Sequence, residues 1–248
     1  MLNSFTVISG FLGAVVLGGF TVSYLQATNK TQLIKLLLAF SGGFMLSIAF
    51  THFIPELYSH QANTIGYYIL LGFLIQLILE FFSGGIEHGH VHIHKGEKMP
   101  WALFISLSVH SIIEGIPVGN ALSGVGHIVD HGHGHDINSL FFGILFHQIP
   151  VAIALMTLLL KTDSSRLKAW IILLLFGFMT PIGVIVGMTV EAEQLGLNED
   201  IILAVVVGIF LHISTTIIFE TSENHKFNIF KLVSILIGCT LAFGMNLL

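Results

Sequence analysis

The sequence predicts an all-α membrane protein of eight transmembrane helices with both termini outside, in which spans 1–3 and 6–8 form an inverted repeat around spans 4 and 5. Three observations lead to that fold. Of 248 residues, 54% are hydrophobic and only 9% are charged, where a soluble domain carries about 25% charged residues. So much apolar surface needs a bilayer as its solvent. The apolar residues fall into eight stretches of spanning length, and the nine Lys and Arg residues occupy alternate connections only, as the positive-inside rule requires.

The spans follow from the gaps between charged residues, at about 20 apolar residues each: 4–26, 36–57, 64–83, 101–122, 138–160, 169–190, 200–220 and 228–247. No base precedes Lys30, so the first stretch lacks the basic flank of a cleaved signal peptide and is expected to remain as a span. Lys30 and Lys35 separate spans 1 and 2, and Lys95 and Lys98 separate spans 3 and 4. Lys161, Arg166 and Lys168 lie between spans 5 and 6, and Lys226 and Lys231 flank the turn between spans 7 and 8. These four connections are expected in the cytoplasm, with no Lys or Arg inside a span. Glu56, Asp130, Asp136, Glu191, Glu193, Glu199 and Asp200 fall on the other side without a base among them. They form either a cation-gathering outer face or ordinary solvated loop charge. The pattern Gly43-x-x-Leu46-x-Ile48-x-x-Thr51 of span 2 recurs as Gly208-x-x-Leu211-x-Ile213-x-x-Thr216 in span 7. Those spans run in opposite directions, as an inverted repeat demands.

Two classes of function drop out. Nine bases cannot form a phosphate-tracking surface, so the partner is the lipid bilayer and not a nucleic acid. Cys239 is the single cysteine, which excludes a disulfide framework and a Cys-based zinc site.

Polar residues deep in a bilayer are expensive and usually functional. Glu114 is the one acid near the middle of a span, while Glu56, Glu80 and Glu220 sit toward span ends. With no basic side chain in the spans, Glu114 is either protonated or neutralises a mobile cation. His110 lies four residues earlier on the same helical face, with Ser111 beside it. Span 5 offers His147 and Gln148. Two imidazoles, a carboxylate and an amide or hydroxyl oxygen suit a borderline divalent ion such as Zn²⁺, Fe²⁺ or Mn²⁺. Pro117 and Pro150 follow the two clusters, and each removes the backbone bond to the residue four earlier, freeing the carbonyls of Ile113 and Phe146. Freed carbonyls at membrane depth are tolerated where they line a cavity or bind an ion.

These residues resemble the ZIP (Zrt/Irt-like) divalent-metal transporters. His110-Ser111-Ile112-Ile113-Glu114-Gly115 is similar to that family's H-[NS]-x-x-[ED]-G signature in span 4. His147-Gln148-Ile149-Pro150 resembles its H-[QEN]-x-P segment in span 5, and His52-Phe53-Ile54-Pro55-Glu56 its H-x-x-P-E in span 2. The resemblance implies one integral membrane transport domain over 1–248, in the cell (inner or plasma) membrane, moving a divalent metal into the cytoplasm. Zinc comes first, with Fe²⁺, Mn²⁺ and Cd²⁺ admitted by the same ligands. The metal is substrate and no cofactor is expected; a homodimer is compatible with the chain. Many members carry a further acid or His where this chain has Val151, and Glu where it has Thr180. The expectation is therefore one principal metal held by His110, Glu114 and His147, with Gln148 and Ser111 as weaker helpers. The competing class is an intramembrane metal-dependent hydrolase, disfavoured because no H-E-x-x-H occurs.

Secondary polar features complete the pattern. His52 and Glu56 share a face near the outer end of span 2, as an entrance site or as a headgroup-facing pair. His212 and Glu220 lie in the inner half of span 7, where exit ligands are needed; hydrogen bonding of His212 to a neighbouring Ser or Thr is the alternative. His88, His90, His92 and His94 lie in one loop and His127, His131, His133 and His135 in another. Both suit weak, exchangeable metal capture.

Overall fold

In hydrocarbon, every backbone N–H and C=O must be satisfied within its own segment, so apolar runs fold as helices. The protein, represented by a computed structural model, is described over residues 2–24, 30–60, 63–83, 101–123, 137–162, 165–190, 198–220 and 229–245. Its helices are α1 (Ser4–Tyr24), α2 (Lys30–Ile48), α3 (Ile54–His60), α4 (Ile65–Ser83), α5 (Trp101–Ser123), α6 (Ile137–Leu159), α7 (Arg166–Gly177), α8 (Met179–Thr189), α9 (Glu199–Glu220) and α10 (Ile229–Met245). Among the described residues, seven helical segments are long and apolar enough to cross a membrane, and Ile229–Met245 is a shorter apolar helix. Each predicted stretch coincides with one of these segments.

Two stretches expected as single helices are interrupted, both just before a proline. A π turn, Ala49–Phe53, joins α2 to α3, with the Ile54 N–H bonded five residues back to the Ala49 carbonyl. Pro55 has no N–H to offer Thr51, and the wide turn absorbs the mismatch. It carries His52, in keeping with the habit of π turns to occur at functional sites. Between α7 and α8 the N–H of Phe178 is shared among the carbonyls of Leu174, Leu175 and Phe176. Pro181 likewise cannot bond Gly177. The expectation that no base lies in a span needs correction at Lys231, which is buried in the first turn of α10 with its Nζ on the Ile218 carbonyl. The ammonium finds a backbone acceptor at the end of α9, so its burial is compensated.

The apolar core divides into two clusters. One holds Leu38, Leu103, Leu107, Val151, Leu155, Leu173 and Ile213, the other Phe11, Phe44, Val118, Ile144, Val184 and Phe210. Along α5 the core residues belong to the first cluster before His110 and to the second after Glu114. Along α6 the order reverses, with the change at His147–Gln148. Ile113 touches both clusters. A polar layer thus separates two apolar ones, and successive spans traverse it in alternating directions. Lys35 sits between Ile34 and Leu38 of the first cluster, and Lys161, Arg166 and Lys168 flank its members Leu159 and Ala169, which defines a basic end.

The crossings are built twice. α2 packs on α10 as α9 packs on α4, and α1 packs on α6 as α8 packs on α5. An offset of 165 residues carries Gly43 onto Gly208 and Gly18 onto Gly183. A methyl at Gly43 would overlap the Ile235 carbonyl, and one at Gly208 the Ile69 carbonyl. Gly18 faces the Ile149 carbonyl and Gly183 the Ile112 carbonyl. Those partners, 112 and 149, are spaced like His110 and His147. The span 2 and span 7 echo in the sequence therefore marks the residues at which backbones touch.

Candidate metal centre

α5 turns His110 and Glu114 to the same face because they are one helical turn apart. Their contact is close: His110 Nε2 lies 2.9 Å from Glu114 Oε1. α6 brings His147 opposite, its ring centroid 5.9 Å from that of His110 and nearly perpendicular to it. Phe146, the preceding residue, is held edge-on by Phe40 and Phe44 at 5.6 and 5.0 Å, which fixes the rotation of α6 at this level. One donor atom from each of His110, Glu114 and His147 lies within 4.8 Å of the others, and all three residues are 2% exposed. Ligands on a tetrahedral zinc at bond lengths near 2.1 Å sit about 3.4 Å apart. The cluster therefore needs only a small contraction around an ion.

A partner from α4 sets the chemistry of His110. Its Nδ1 is 3.1 Å from the Oε1 of Gln76, a fully buried residue. That contact turns Nε2 toward Glu114, and at 2.9 Å the imidazole nitrogen and the carboxylate oxygen are close enough to share a proton or a cation. This is the hydrogen-bonding arrangement by which outer groups orient metal-binding imidazoles.

Gln148 is oriented in a similar way. Its Nε2 donates to Thr180 Oγ1 at 3.1 Å, and its buried Oε1 has no hydrogen-bond partner among the described residues. Thr180 reaches this point because α8 crosses α5 at Gly115 and Gly183 without side chains between them; a methyl on Gly115 would overlap the Thr180 carbonyl. Ser111 is buried beside His110, and Val151 and Thr180 are buried as well.

The other expected residues lie apart. His52 and Glu56 form a separate pair, Nε2 to Oε2 4.0 Å, partly exposed at the π turn. His212 is buried on α9, and its Nδ1 lies 3.4 Å from Glu80 Oε2 on α4. Thr215 and Thr216 bond its backbone carbonyl. Glu220 is two turns further along α9, and both His-rich loops lie outside the described residues. Gln76, Glu80 and Thr180 were not among the expected site residues. A signal existed for the first two, since Gln76-x-x-x-Glu80 repeats the spacing of His110-x-x-x-Glu114.

Residues 83–246 match the family profile described as ZIP Zinc transporter. The protein zntD of Dictyostelium discoideum is 24% identical over 159 residues, covering 58% of this chain and 22% of that protein. Zinc transporter ZIP1 of Danio rerio is 24% identical over 136 residues, covering 53% and 42%. Zinc transporter ZIP1 of Takifugu rubripes is 24% identical over 264 aligned positions, covering 84% and 82%. The matched segments span less than half of the first two of these relatives.

Proposed function

The chain belongs to the ZIP zinc transporter family, and from that premise we propose that it carries a divalent metal ion, zinc first, into the cytoplasm through the His110–Glu114–His147 centre. The observation that carries this is the buried convergence of two imidazoles and a carboxylate within 4.8 Å, on helices α5 and α6 that contain no Lys or Arg. Two imidazoles and a carboxylate in that arrangement suit a borderline divalent cation. Gln148 and Ser111 assist as oxygen donors, and His52 with Glu56 forms an entrance station. The basic end is the cytoplasmic one by the positive-inside rule, which puts both termini outside and makes all eight apolar helices spans of one transport domain, 1–248. Apolar clusters lie on either side of the centre, which supports passage by rocking of the packed helices.

The family consists of transporters, and a hydrolase reading has no observation in its favour. Uptake of Zn²⁺, Fe²⁺, Mn²⁺ and Cd²⁺ into proteoliposomes tests the proposal. Glu114→Ala and His110→Ala each abolish uptake while the protein remains inserted. Normal transport by both variants would overturn the assignment.

A further inference from the structure

At the basic end, two lysines from helices distant in the chain stand side by side. We propose that Lys35 of α2 and Lys231 of α10 bind the phosphate of an anionic phospholipid in the leaflet at that end. Such a site stands apart from the metal centre and does not depend on which ion is carried.

Helix register brings the two together. Contacts rise along both helices at once, Leu36 with Ser234, Phe40 with Gly238 and Ser47 with Cys239, so α2 and α10 run parallel. Ser234 Oγ donates to the Leu36 carbonyl at 2.7 Å. Lys35 is the residue before Leu36, and Lys231 lies one helical turn before Ser234. Both lysines therefore sit at one level, near enough for the charge of Lys35 to act on Lys231. Lys35 is half-buried. Lys231 is 8% exposed and turns inward, with its Nζ donating to the Ile218 carbonyl of α9. An ammonium has three protons to give, and that carbonyl is its one acceptor among the described residues.

Two ammonium groups held together away from bulk water repel each other, and burial adds to the cost of the charge. A phosphate relieves both, since it brings negative charge and several acceptor oxygens. Basic pockets between helices on the cytoplasmic side are where anionic headgroups bind. The surroundings favour a lipid phosphate over a free one. Leu33, Ile229, Phe230 and Val233 each lie within two residues of one of the lysines, and all four are exposed. They offer acyl chains an apolar surface beside the charge. A headgroup bound there ties α2 to α10 and, through Lys231 and Ile218, to the end of α9.

The test is native mass spectrometry and thermal unfolding of the purified full-length chain in detergent, with phosphatidylglycerol, phosphatidylcholine or inorganic phosphate added. The wild-type chain retains phosphatidylglycerol in preference to phosphatidylcholine and unfolds at a higher temperature in its presence. Lys35→Gln and Lys231→Met each weaken that binding about fivefold, the share of one lysine at a membrane surface. Lys35→Arg keeps it. Without lipid, Lys35→Gln unfolds as the wild type does, which separates a lost ligand from a damaged fold. Lys161→Gln, at the same end of the protein, leaves the binding unchanged. Equal lipid binding by the wild type, Lys35→Gln and Lys231→Met would overturn the site. So would an equal loss in Lys161→Gln, which would mean diffuse basic charge. Stabilisation by inorganic phosphate to the same degree would show a free-anion site and overturn the lipid assignment.

Discussion

Gln76 Oε1 and His110 Nδ1 lie 3.1 Å apart across the α4–α5 contact, and this one hydrogen bond decides which imidazole nitrogen faces Glu114. Replacing Gln76 by Leu removes this partner and frees the ring to turn. Zinc affinity is expected to fall about 10–100-fold, the usual cost of losing an orienting partner. Gln76→Glu keeps an acceptor and retains most of the binding. Calorimetric titration of the three proteins measures this, and equal affinities would show that the bond is structural only.

Thr180 has the same task for Gln148, through Nε2 to Oγ1 at 3.1 Å. Thr180→Val leaves the amide free to flip and present Nε2, a donor, where Oε1 now points. Thr180→Ser keeps the hydroxyl. Reduced uptake in the first and near-normal uptake in the second is the expected pair of results; equal uptake would remove Gln148 from the site.

The α5–α8 crossing admits no side chain at Gly183, where a methyl would overlap the Ile112 carbonyl. Gly183→Ala forces the helices apart at the level of Glu114 and is expected to cost about 1–3 kcal/mol, as overpacking does. Gly13 has nothing within 4 Å of the same added atom. Gly13→Ala is expected to gain several tenths of a kcal/mol from helix propensity. Thermal unfolding in detergent separates the two, with opposite signs.

Val151 is buried on α6 one turn after His147. Val151→Glu places a carboxylate there, and the metal content of the purified protein is expected to rise by one ion per chain. Elemental analysis reads this directly, and an unchanged content would mean that the new side chain does not reach the centre.

The sequence by itself determined the helical class and picked out three residues that the fold brings together, His110, Glu114 and His147. A bilayer obliges each apolar run to satisfy its backbone locally, so helices follow from composition. His110 and Glu114 were legible because a four-residue spacing has one meaning in a helix, and the next span supplied His147. What only the tertiary structure decided is how helices distant in the chain are rotated and how closely they cross. That choice rests on backbone contacts, such as Gly43 against Ile235 and Gly183 against Ile112, which no local pattern encodes. From it come Gln76 on His110, Thr180 on Gln148 and Glu80 on His212. Sequence placed His212 at an exit but beside Glu220 of its own helix. The fold gave it a partner more than 130 residues away, because α4 and α9 cross closely with Gly72 against Val205 and Gly208 against Ile69.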